Sequence, residues 1–95
     1  MNNVGDLLAY LANESRIILD EDDEYESAIG VVYPDGTSLS IAWGSLSYGS
    51  RAGIRSTTVE TLWLSADGFE DKPCSFRHVS DVHDEIVATL RTFAK

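Results

Sequence analysis

Apolar residues recur along the chain with two different periods, and the change of period marks the elements. Val4, Leu7, Leu8 and Leu11 are spaced i, i+3, i+4, i+7. That is one face of a helix, so a short helix is predicted over 4–12. Asn3 stands at its N-cap, and Asp6 lies in the first turn, where a carboxylate meets the positive end of the helix dipole. Asn13 supplies a stop. Arg16-Ile17-Ile18-Leu19 reads as a short strand of buried type, and residues 27–33, Ser-Ala-Ile-Gly-Val-Val-Tyr, as a second strand. Tyr33-Pro34-Asp35-Gly36-Thr37 predicts a tight turn, because Pro presets φ and Gly accepts a positive φ. Residues 38–43 alternate, with Leu39, Ile41 and Trp43 on one face and Ser38, Ser40 and Ala42 on the other. Such alternation marks a half-buried antiparallel strand.

Residues 57–64 alternate again, with Val59, Thr61 and Trp63 on one face and Glu60, Leu62 and Leu64 on the other. Ser65-Ala66-Asp67-Gly68 marks a turn, and residues 74–78 read as a further strand. The last helix is the plainest element. Val79, Val82, Ile86, Leu90 and Phe93 form its apolar stripe, Asp81, Asp84 and Glu85 lie early in it, and Arg91 and Lys95 lie late. This polarity suits the helix dipole, with Ser80 or Asp81 as the expected cap. Between the alternating strands, residues 44–56 are rich in Gly and Ser and read as a loop. The elements predict an α+β fold: an antiparallel sheet of about four to five strands with an N-terminal and a C-terminal helix packed on one face. No linker or repeat divides the chain, so residues 1–95 are expected to form a single domain.

Composition sharpens this picture mainly through charge. With 43% apolar residues, the 95-residue chain has enough for one core. Seven Lys and Arg against sixteen Asp and Glu give a net charge of −9. A nucleic-acid binder or an anionic-membrane binder needs the opposite balance, so neither nucleic acid nor membrane is an expected partner. No apolar run approaches the ~20 residues of a spanning helix. The opening Met1–Asp6 has neither a basic segment nor an apolar block, and the single cysteine, Cys74, can form no internal disulfide. Together these features predict a cytoplasmic protein.

The charge is concentrated. Asp20, Glu21, Asp22, Asp23, Glu24, Tyr25 and Glu26 hold six acids in seven residues, and removing them leaves ten acids against seven bases, a net charge of −3. Such a segment can keep a protein soluble or blunt a sheet edge. It can equally present a docking field to a basic partner. An extended strand rises about 3.3 Å per residue, close to the roughly 3.4 Å per nucleotide of a DNA strand. A carboxylate row therefore approximates the charge density of a nucleic-acid backbone and speeds association with a cationic cleft. A calcium loop is a third use of Asp20, Asp22 and Glu24, but Tyr25 and Val31 stand where that pattern needs Gly and a bidentate Glu.

Other chemistry is sparse. Cys74, His78 and His83 have no recognised zinc spacing, and Cys74 with His78 makes a weak nucleophilic pair. Cys74 is expected as a small buried residue of the last strand. Gly44–Gly49 misses the nucleophile-elbow spacing, and Gly49–Gly53 lacks the ending of a phosphate loop. No metal, cofactor or catalytic residue is assigned, and no enzymatic activity is expected. Trp43 and Trp63 read as core. Tyr10, Tyr25, Tyr33 and Tyr48 read as exposed aromatic anchors. The 44–56 loop is long enough to contact a partner, with Tyr48, Arg51 and Arg55 as its contact residues.

The element order and the segment Asp20–Glu26 resemble two groups of small acidic inhibitors, and the closing passage from Cys74 to Phe93, a short strand and then a helix ending in an aromatic residue, is similar to the first of them. These are bacterial toxin-immunity proteins and phage anti-CRISPR proteins. The resemblance implies an inhibitor that blocks the cationic, nucleic-acid-binding or catalytic surface of a partner, a toxin or a nucleic-acid-processing effector. The alternative is a structural or assembly subunit of a phage or bacterial complex. Immunity and anti-CRISPR roles, stoichiometry and the choice among acidic segment, loop and sheet edge stay open at this level.

Overall fold

The computed structural model describes residues 1–21, 28–43, 57–67, 70 and 73–93, with the backbone alone for Glu21. Their order is α1 (Val4–Ala12), β1 (Ile18–Glu21), β2 (Ala28–Val32), β3 (Ser38–Ala42), β4 (Thr58–Leu64), β5 (Cys74–His78) and α2 (Val79–Arg91). The strands form one five-stranded antiparallel sheet in sequence order. With the two helices this is the expected α+β fold.

Register decides which side chains form the core. Val31 pairs with Leu19 and Leu39, Ile29 with Ile41, Leu39 with Trp63, and Ile41 with Thr61. Because side chains alternate along a strand, these rows share one face. Ile29, Val31, Leu39, Ile41 and Val59 are buried there with Val4, Leu7 and Leu11 of α1 and Val79, Val82, Ile86 and Leu90 of α2. Both helices therefore cover that face. Among the described residues no helix is long and apolar enough to cross a membrane.

Local chemistry explains the element ends. The Asn3 side chain accepts from the Asp6 N–H at 3.0 Å, and the Asp6 carboxylate accepts from the Asn2 N–H at 2.8 Å, so two donors at the start of α1 are satisfied. Asn13 closes this helix as expected. At Gly36 φ is +89°, the value the β2–β3 turn demands, and an added Cβ would sit 3.2 Å from that of Ala66.

Several expectations are corrected. The first strand runs from Ile18 to Glu21 rather than over 16–19. Ile17 is buried, whereas Ile18 is 69% exposed. Asp20 and Glu21 therefore belong to an edge strand and pair with Gly30 and Ile29. The cap of α2 is neither Ser80 nor Asp81. It is His78, whose ring Nδ1 accepts from the Ser80 N–H at 3.1 Å. β5 runs into α2 without a connecting residue, which leaves the last strand residue to act as cap. Cys74 is exposed rather than buried, because β5 is an edge strand whose pairing with β4 is interrupted by a bulge.

Candidate partner-binding face

The strands alternate in direction, so the C-terminal ends of β1, β3 and β5 and the N-terminal ends of β2 and β4 lie at one end of the sheet. α2 starts at the same end. Ala28 pairs with Ala42, Ala42 with Glu60, and Thr58 with His78. Paired Cα atoms lie roughly 5 Å apart. The acidic segment and the 44–56 connection are thus attached at neighbouring positions of one sheet end. Of the predicted contact residues, Asp20 is exposed on β1 and Glu21 is placed by its backbone. Asp22, Asp23, Glu24, Tyr25, Glu26, Tyr48, Arg51 and Arg55 lie outside the described residues.

The face of the sheet opposite the helices has a different composition. One row across it is Ile18, Val32, Ser38 and Leu64, and the next is Asp20, Gly30, Ser40 and Leu62. A third joins Ala28, Ala42 and Glu60. Small side chains form the centre, and Asp20 and Glu60 are its charged groups. No described lysine or arginine belongs to these rows. Arg77 pairs with Val59 and so lies on the helix side, and Arg16 is bound to Glu14 at 2.8 Å. Hydrogen bonds from Arg16 hold the Glu14 carboxyl down to about 2, so this pair stays ionised far into acid.

Beneath α2 lies a polar cluster that periodicity alone did not reveal. The Trp63 indole N–H donates to Glu85 Oε1 at 2.6 Å. The Arg77 guanidinium donates to the other Glu85 oxygen and, at 3.2 Å, to Thr61 Oγ1. Thr61 is itself buried. One carboxylate thus satisfies an indole and a guanidinium from two strands and ties α2 to β4 and β5. The available sequence signal was a strand tryptophan whose N–H needs an acceptor, together with a glutamate adjoining the apolar stripe of the last helix.

Tyr33 is corrected from exposed anchor to core. It is 2% exposed, and its ring stacks on Trp63 at a centroid distance of 5.5 Å and on Phe93 at 6.1 Å. Its hydroxyl is buried and makes no hydrogen bond of full geometry; it lies against the Thr89 hydroxyl, whose own proton is given to the Glu85 carbonyl at 2.8 Å. Burial, reinforced by the Glu85 charge, raises the phenol above its ordinary value of 10.0. The folded state therefore keeps a proton that the unfolded state loses, so this contribution is complete below pH ~10 and is lost as pH rises further. Tyr33→Phe removes the unpaired oxygen. We expect a gain of about 1 kcal/mol at pH 7 and less additional destabilisation than wild type between pH 9 and 11. Thermal unfolding by circular dichroism checks both, and a loss of stability at pH 7 would reveal a partner for the hydroxyl.

The remaining candidates are scattered. Tyr10 is half-buried, its ring meeting His83 edge-on at 4.5 Å. His78 is occupied with Ser80, and His83 touches Asp84 at 3.4 Å. Among the described residues no three of His, Cys, Asp and Glu converge as metal ligands. Trp43 is buried as expected, and Trp63 is half-buried. The architecture is a five-stranded antiparallel meander with two helices on one face. No protein-family model, curated protein or solved structure matches the chain.

Proposed function

We propose that this chain is a small acidic protein-binding inhibitor, of the toxin-immunity or anti-CRISPR kind, that occupies the cationic surface of a nucleic-acid-processing or toxic partner. The observation that carries the proposal is the position of the acidic run. It begins on an edge strand, with Asp20 exposed and the backbone of Glu21 fixed by pairing with Ile29. It then continues through Asp22, Asp23, Glu24 and Glu26. Crowded carboxylates repel one another, which costs folding energy, and a basic counterpart relieves that repulsion. Their field also raises the rate of encounter with a positive cleft. The mechanism is occupation, so it requires no cofactor and no catalytic residue.

The test begins with capture of the partner from the source cells, followed by association kinetics with the purified pair. Replacing Asp22→Asn, Asp23→Asn and Glu24→Gln together is expected to slow association about tenfold or more at low salt and much less at high salt, where charges are screened. The circular dichroism spectrum should not change. Equal association rates for wild type and triple variant at low salt would overturn the proposal. A second use, as an assembly subunit, draws on the two sheet edges at β1 and β5, and it predicts a solution mass that rises with protein concentration.

A further inference from the structure

Phe76 carries two costs that core packing does not offset. Its φ is +58°, in the left-handed region where a bulky side chain is an outlier. Its ring is 88% exposed, so it returns almost no burial energy. Both follow from the bulge in β5. Val59 pairs with Arg77 and Thr61 with Cys74, which leaves Ser75 and Phe76 together opposite Glu60. Bulges re-aim side chains. Arg77 reaches beneath α2 to Glu85 and Thr61. The bulge breaks strict alternation at Ser75 and Phe76, and the register leaves Phe76 exposed opposite Glu60. Glu60 lies on the helix-free side, because its neighbours Val59 and Thr61 are buried on the helix side.

We propose that Phe76 and Glu60 form a docking site for an arginine side chain of a cationic partner protein. The aromatic face attracts a guanidinium, and the carboxylate accepts its N–H donors. Guanidinium suits this pair better than ammonium because it is planar and more weakly hydrated. No described lysine or arginine lies among these rows to compete with an incoming cation. The site rests on the inhibitor reading and gives it a second contact, on the opposite edge of the sheet from the acidic run.

Acetylated, amidated hexa-arginine and hexa-lysine peptides are suitable probes, titrated into isotopically labelled protein and followed by amide chemical shifts. The titration is run in wild type and in the Asp22→Asn, Asp23→Asn, Glu24→Gln background, which removes competition from the acidic run. Saturable shifts are expected at residues 60 and 76 in both backgrounds, larger and tighter with hexa-arginine. Phe76→Asn and Glu60→Gln should each weaken that binding by about threefold or more. Asparagine tolerates the left-handed conformation, so Phe76→Asn should unfold at a temperature no lower than wild type. Shifts confined to the acidic run, or equal affinity in Phe76→Asn, overturn the docking site while leaving the inhibitor proposal standing. Absence of any peptide binding at low salt overturns both.

Discussion

Glu85→Ala is expected to cost about 2–3 kcal/mol, although the residue is only half-buried. The carboxylate accepts from the Trp63 indole and the Arg77 guanidinium at once. Its removal leaves the indole N–H without its acceptor and the guanidinium with Thr61 alone, in a setting not fully open to water: the Arg77 side chain is 23% exposed and Trp63 is half-buried. A hydrogen bond to a charged group contributes about 1.5–3 kcal/mol, and an abandoned partner adds its desolvation cost. At about 4–8 °C per kcal/mol for a chain of this size, the thermal midpoint should fall by roughly 10–20 °C. Glu85→Gln should be milder, because an amide oxygen can still accept from the indole. A double-mutant cycle with Arg77→Met isolates the ion pair. A total loss under about 1 kcal/mol would show that solvent screens the cluster as it does an ordinary surface pair.

How much of this was legible in the chain depends on whether the deciding interaction is local. Leu39, Ile41 and Trp43 alternate with small residues, and that period places them on the buried face without further information. The α2 stripe is equally local. Ile17 and Ile18 show where period fails, because two adjacent isoleucines cannot both face inward. The choice comes from pairing, since Leu19 opposite Val31 joins the core and Ile18 opposite Val32 does not. Tyr33 carries a polar tip and reads as an interface residue. Its burial depends on rings from β4 and the end of α2, neither near it in sequence. His78 caps α2 because strand and helix are fused there, which a preference for Ser or Asp at helix starts does not reveal. Of the candidate surface, the acidity of Asp20 was legible but its place in an edge strand was not. Phe76 and Glu60 are set opposite one another by the β4–β5 register, which the composition of residues 74–78 does not reveal.

Leu39→Ala is expected to cost about 3 kcal/mol, and the adjacent Ser40→Ala less than about 0.5 kcal/mol. Leu39 is fully buried on the central strand, between Val31 and Trp63 and beneath the helices. The cavity left by alanine cannot collapse easily, because rigid pairing fixes the backbone on both sides. Ser40 lies one residue further on, between Gly30 and Leu62, on the face without helices. Urea denaturation of both variants measures the contrast. Comparable losses would mean that the second face is packed as firmly as the first. The expected disparity, about sixfold or more, has a functional consequence. Folding free energy is concentrated on the helix side, so residues such as Asp20, Glu60 and Phe76 can vary to suit a partner without unfolding the chain. Substitutions there should alter association with a cationic ligand while leaving the denaturation midpoint nearly fixed.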